Sequence, residues 1–314
     1  MPQACQLVLG RHRIATRAKG YRLGDGPPFF ATETATSERA DFWITSEKID
    51  MPSGTEKASQ PEVALDPGRV WLRGTGADCA IRAYPAVQRA IRNAVAGADY
   101  CVLCVARYAL IVDFRERAAH EFYTDPGIEV LRAKNPTEAL RPLLAFVLPG
   151  LDATLLHAAA LHDPSGCAFV LMGPSGAGKS TAASLREPGQ VLLGDDRVVV
   201  SREPDGFWVG ATPFNRATSG PGAAPIGALA WLEQGPTFAL ERVPWLRLLS
   251  NVWLNNATEW FPVAPVLRKR YFRLFCALLR GTPLFRLTFA RDFVDWDALR
   301  AAIGMVGHAR DKAR

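Results

Sequence analysis

No stretch of this sequence is long and apolar enough to span a bilayer comfortably. Its longest apolar runs, Cys101 to Val112 and Pro142 to Leu161, are broken by Arg107 and by Pro149, Asp152 and His157 respectively. Met1-Pro-Gln-Ala-Cys-Gln leads into Arg11, His12 and Arg13 without the apolar centre of a signal peptide, so a cytoplasmic protein with no stable membrane insertion is expected. The six cysteines are scattered and form no disulfide ladder. Cys101 and Cys104 have metal-like spacing but sit in a strand-like apolar run with no second Cys or His pair beside them, which reads as buried thiols. The five histidines are equally dispersed and offer no zinc site. No internal repeat occurs, and no aromatic or helix-turn-helix signature of a nucleic-acid module, so no nucleic-acid partner is expected.

What is present is ordinary for a folded protein: 314 residues, 48% apolar and 22% charged, with a net charge of +6 that comes partly from a basic stretch near the C-terminus. The length allows two domains, and the patterning divides near residue 149. Residues 1–148 read as a smaller, strand-rich α+β domain. Its expected strands are Cys5 to Leu9, Phe42 to Thr45, Val70 to Arg73 and Tyr100 to Val105, with helices at Tyr84 to Val95 and Pro136 to Val147 and a surface loop from Ser46 to Pro67.

Residues 149–314 read as α/β: strands at Leu155 to Leu161, Cys167 to Met172 and Val191 to Leu193, and a helix beginning at Ser180 to Leu185. A basic helix at Leu267 to Leu279, a strand at Leu284 to Phe289 and a short helix at Trp296 to Ile303 follow. On the basic helix Leu267, Tyr271, Leu274 and Leu278 share a face, predicted to dock on the core, with an acidic leader peptide or a membrane surface as the alternative partner.

Gly173-Pro-Ser-Gly-Ala-Gly178-Lys179-Ser180 satisfies G-x-x-x-x-G-K-[ST] at every fixed position, between the apolar run Ala168 to Met172 and a helix start. Such a match arises by accident in about one per cent of chains this long. The glycines let successive backbone N–H groups turn toward phosphate oxygens. Lys179 adds a point charge, and the Ser180 hydroxyl is suited to Mg²⁺. The nucleotide-binding set is therefore Gly173, Ser175, Gly176, Ala177, Gly178, Lys179, Ser180 and Thr181, with ATP and Mg²⁺ as the expected ligands. Soon after, Val191-Leu-Leu-Gly-Asp195-Asp196-Arg197 ends a buried strand in two carboxylates. One can hold the metal while the other accepts a proton from an incoming hydroxyl.

The order His157, then the glycine loop, then Asp195-Asp196-Arg197 resembles the catalytic domain of HPr kinase/phosphorylase. It resembles still more the shorter HPr-kinase-like peptide kinases of ribosomal-peptide (lasso-type) clusters. The resemblance covers roughly residues 150–300 and includes Ala211-Thr-Pro213-Phe214, Gly227 to Gly235 and the closing strand Leu284 to Phe289. It implies a P-loop fold related to the nucleotide half of phosphoenolpyruvate carboxykinase. The implied roles are Lys179 and Ser180 on phosphates and Mg²⁺, Asp195 as proton acceptor, Asp196 near the metal and His157 orienting the aspartate.

Arg216 and Arg197 are candidates for neutralising the transferring phosphoryl group. Two departures bear on substrate: Thr181 stands where HPr kinases carry Glu, and no Glu-Ile-Arg-Gly segment, associated with the reverse reaction, occurs. The implied function is an ATP-dependent serine/threonine kinase acting on a peptide or small protein, alongside peptide-modifying enzymes, with oligomerisation left open. The alternatives are a non-catalytic nucleotide-gated accessory protein, an HPr(Ser) kinase/phosphorylase, and a carboxykinase, for which the chain is short.

Overall fold

The computed structural model describes residues 4–9, 11–18, 30–32, 40–49, 65–66, 69–73, 81, 84–105, 107–124, 136–215, 222–260 and 264–311. It is a mixed α/β protein with two mixed sheets and six α-helices among these residues. The chain divides into two compact units: Met1–Val8, His12–Leu151 and Trp260–Tyr271 form one, and Leu9–Arg11, Asp152–Glu259 and Phe272–Arg314 the other.

The first unit is built on β1 (Ala4–Leu9), β2 (His12–Ala18), β3 (Phe30–Thr32), β4 (Phe42–Lys48) and β5 (Val70–Arg73), then α1 (Pro85–Ala96), β6 (Tyr100–Val105), β7 (Tyr108–Asp113), β8 (Ala118–Tyr123) and α2 (Pro136–Val147). The strands form one sheet in the order β3-β1-β2-β4-β8-β7-β6-β5. Helix α1 starts where Pro85 follows an extended Tyr84, since proline suits the first helical turn. Its Val87, Ile91 and Ala94 pack with Val102, Cys104, Ala109 and Ile111 of β6 and β7 into one apolar cluster. Burying those faces is what holds the helix, because twelve residues are marginal alone.

Cys101 and Cys104 are both buried in β6, and burial pushes the Cys101 thiol up to about 12. The expected loop from Ser46 begins later than its composition indicates, because Ser46 to Lys48 pair in parallel with Glu121 to Tyr123 and extend β4. Residues 50–64, 67 and 68 lie outside the described residues.

The second unit comprises β9 (Ala153–His162), β10 (Ala168–Met172), α3 (Lys179–Ser184), β11 (Val191–Gly194), β12 (Arg197–Glu203), β13 (Gly206–Gly210), β14 (Ala223–Gln234), β15 (Ala239–Arg242), α4 (Trp245–Trp260), the later part of α5 (Pro265–Gly281), β16 (Leu284–Phe289) and α6 (Trp296–Asp311). The two long strands β9 and β14 are shared between pairings. Residues Ala153 to His157 of β9 meet β12, and Ala158 to His162 meet β10. Likewise Ala223 to Pro225 of β14 meet β13, and Ile226 to Trp231 meet β10. The pairings β10-β9-β12-β13-β14-β10 thus close on themselves.

Strands β10, β14 and β16 run parallel. Their carboxyl ends, at Met172, Gln234 and Phe289, therefore lie at the same edge of the sheet. The core beneath contains Leu161, Phe169, Leu171, Phe285, Leu287 and Trp296. Trp296 stacks on Phe169 at 5.9 Å, and its indole N–H donates to the Leu185 carbonyl at 2.9 Å, seating the start of α6. This helix runs to Asp311, well past the expected Ile303. On α5, Leu267, Tyr271, Leu274 and Leu278 are all buried, as their shared face predicts. No helix among the described residues is long and apolar enough to cross a membrane.

Candidate functional site

The glycine loop joins β10 to α3, so the carboxyl end of a buried strand delivers it and a short helix receives it. Gly178 has φ of 97°, a left-handed conformation that side-chain-bearing residues rarely adopt, and a Cβ there would lie 2.7 Å from the Phe289 ring. Glycine at this position is therefore a steric requirement. Lys179 is buried, and its Nζ donates to the carbonyls of Gly173 at 2.8 Å and Pro174 at 3.1 Å. Burial lowers its pKa, and the negative charge of Asp196 partly opposes that shift. Ser180 and Thr181 are exposed at the first turn of α3.

A cleft of about 840 Å³ opens over this loop, within the second unit. Ser175, Gly176, Gly178, Lys179, Ser180 and Thr181 line one side. His157, Asp195 and Asp196 line another, so the two sequence motifs share one cavity. Gly173 and Ala177 serve differently: Gly173 supplies a carbonyl to Lys179, and Ala177 packs against the core. Arg216 lies outside the described residues.

The aspartate turn links β11 to β12 and is tied down from three directions. His157 Nε2 lies 3.3 Å from Asp196 Oδ1, and Arg197 pairs with Oδ2 of the same carboxylate. The hydrogen bond from His157 chiefly holds the Asp196 carboxyl below the usual range, against the effect of burial; the charges of Arg197 and Lys179 add to it. The aspartate that His157 meets is thus Asp196, its neighbour in the turn being Asp195. His157 is itself fixed by its backbone N–H, which donates to Oδ1 of the buried Asn256 at 2.6 Å.

Four contributors were not legible as site residues in the sequence. Asn215 Oδ1 accepts the backbone N–H groups of Asp195, Asp196 and Arg197 at 3.1, 3.0 and 2.8 Å. Gln234 Nε2 donates to the Gly176 carbonyl at 2.7 Å, tying the end of β14 to the loop. Arg291, just past β16, lines the cleft and brings a further cation to it. Asn256 comes from α4, far from the motifs in sequence. Gln234 and Asn215 lie in or beside segments that carry the family resemblance, which was their only signal; Arg291 and Asn256 had none.

Among the described residues no three His, Cys, Asp or Glu side chains form a metal cage. The donor set that is present, a Ser180 hydroxyl and two aspartates on one cleft, instead fits Mg²⁺ held jointly by protein and phosphates, since that ion keeps one or two carboxylates and leaves its other positions to water and phosphate. No protein-family model matches this chain, and no curated protein is significantly similar to it.

Proposed function

We propose that this chain is an ATP-dependent P-loop kinase that transfers the γ-phosphoryl group to a Ser or Thr hydroxyl of a peptide or small protein. Its second unit is read as HPr-kinase-like, with a cytoplasmic setting beside peptide-modifying enzymes. One observation carries the reading: a fully matched phosphate loop and a paired-aspartate turn line the same cleft. Its volume is within the range of small-ligand sites.

The chemistry asks little covalent work of the protein and much positioning. The backbone N–H groups of Ser175 to Ser180 cradle the phosphates, and Lys179 exchanges its two loop carbonyls for the β- and γ-phosphate oxygens. Helix α3 has only six residues, so the loop amides and Lys179 supply the anion binding rather than a helix dipole. Ser180 and Asp196 would hold Mg²⁺, which would neutralise phosphate charge. Asp196 is suited to that side because its hydrogen bond from His157 and the Arg197 and Lys179 charges keep it anionic.

Asp195 lines the same cleft and takes the proton as the acceptor oxygen attacks phosphorus. The bond to the β–γ bridging oxygen breaks, ADP leaves, and the hydroxyl proton ends on Asp195. Arg291 adds positive charge to the cavity. Incubation with γ-labelled ATP, Mg²⁺ and Ser-containing peptides tests the reading. ADP and labelled peptide are expected in equal amounts; ATP binding with no transfer to any hydroxyl would favour the nucleotide-gated accessory role.

A further inference from the structure

The three successive backbone N–H groups of Asp195, Asp196 and Arg197 all point at one atom, Oδ1 of Asn215. Convergent amides of this kind form a concave site that takes an anion or a strongly polarised oxygen. In this protein a side chain from the same unit fills it. The amides of the aspartate turn are therefore committed to Asn215, and phosphate recognition falls to the glycine loop on the other side of the cleft.

Asn215 is in turn held by its own amide. Its Nδ2 donates to the Thr212 carbonyl at 2.9 Å and to Thr212 Oγ1 at 3.1 Å, which fixes which end of the carboxamide faces the turn. The Thr212 hydroxyl donates to the Arg197 carbonyl at 2.6 Å and accepts from the Phe214 N–H at 3.3 Å. Thr212 is fully buried and Asn215 partly so, so these bonds are shielded from competing water. The strand end also leaves space for the clamp: a Cβ on Gly194 would fall 2.5 Å from Asn215 Nδ2.

We propose that Asn215, oriented by Thr212, is the positioning residue of the aspartate pair. It fixes the backbone from Asp195 to Arg197 so that both carboxylates face the cleft. Asn215 does not line the cleft and touches no reacting group; it acts through the turn it holds. The inference rests on the kinase reading for its catalytic consequence and on the geometry alone for its structural one.

Two readouts separate these. The first is hydrogen exchange of the backbone amides of residues 195–197. Asn215→Ala and Thr212→Val should strip their protection, whereas Thr212→Ser, which retains the hydroxyl, should preserve it. The second is steady-state phosphoryl transfer. Displacing catalytic groups by about 1 Å can cost about 100-fold, so Asn215→Ala and Thr212→Val should lower kcat by about that factor with the KM for ATP little changed, and Thr212→Ser should stay near wild type. Unaltered thermal melting of Thr212→Val would separate lost positioning from lost folding. Wild-type amide protection in Asn215→Ala would overturn the proposal, as would an unchanged kcat in an active enzyme or equal losses in Thr212→Ser and Thr212→Val. A wild-type chain that transfers no phosphoryl group would sink the kinase reading instead, while amide exchange would still decide whether the clamp exists.

Discussion

His157 Nε2 lies 3.3 Å from Asp196 Oδ1, so the histidine on β9 supports the second aspartate of the pair rather than the first. The consequence is a division of labour. Asp196 is held ionised by hydrogen bond and charge, and a carboxylate stabilised in that way is a weak proton acceptor.

Separate substitutions should therefore have separate signatures. Asp195→Asn is expected to keep ATP affinity and lower transfer by about 10²- to 10⁴-fold, the span of a lost general base. Asp196→Asn should chiefly raise the Mg²⁺ concentration needed for half-maximal activity. His157→Ala should shift Mg²⁺ dependence in the same direction, through the loss of its support to Asp196. Titration of activity against Mg²⁺ reads all three; an Asp195→Asn variant as fast as wild type would remove that residue from the base role.

A buried ion pair anchors α6 and gives a stability prediction independent of function. Asp163 is 1% exposed and accepts from Arg300, Gln190 Nε2 and the Ser165 N–H. Arg300 also reaches Glu187 and Asp297. Although burial opposes ionisation, the hydrogen bonds from Arg300, Ser165 and Gln190 outweigh it and depress the Asp163 pKa.

Asp163→Asn should destabilise the protein by about 2–3 kcal/mol, since one buried partner is lost while Arg300 keeps two others. The sign with pH follows from the depressed value: the ionised pair contributes fully above about pH 4, the unfolded carboxylate pKa, and less as pH falls through the folded one. The stability gap between wild type and Asp163→Asn, measured by denaturant unfolding, should be flat from about pH 5 to 8 and narrow below about pH 4. A gap that widens on acidification would contradict the assignment.

The strands that carry the motifs were legible because each is a short apolar run ended by a turn signal. Ala168 to Met172 before the glycine loop and Val191 to Gly194 before the aspartates are such runs. Strands β12 and β13 and helix α4 were not anticipated. Arg197-Val-Val-Val-Ser-Arg-Glu203 follows the motif with no turn signal to set it apart, and its first five residues, Arg197 to Ser201, pair along β9 from His157 to Ala153. Closure of the sheet through β9 and β14 depends on strands longer than their apolar cores, and local periodicity has no record of pairing. Asn215 illustrates the limit best, for a side-chain oxygen that gathers three amides about twenty positions earlier leaves no pattern in sequence.

The reaction is expected to run in one direction. Phosphorolysis needs a second anion site beside the phosphoserine, with donors that hold inorganic phosphate in line. The amides of the aspartate turn are taken by Asn215, and the Glu-Ile-Arg-Gly segment is absent from the sequence. Mixing the protein with phospho-HPr, inorganic phosphate and Mg²⁺ should release no pyrophosphate beyond background. Rapid release would favour the alternative, an HPr(Ser) kinase/phosphorylase.

On the kinase reading, the loop from Gly173 to Ser180 binds the phosphates of ATP through Lys179. Calorimetric titration of ATP·Mg²⁺ into the wild-type protein and Lys179→Ala, with the thermal melt of each recorded alongside, tests it most directly. Saturable binding to wild type is expected, with binding weakened at least about tenfold in the variant by loss of a charge-assisted contact and similar melting temperatures without ligand. Equal ATP affinity in the two proteins, or no binding to either, would contradict it.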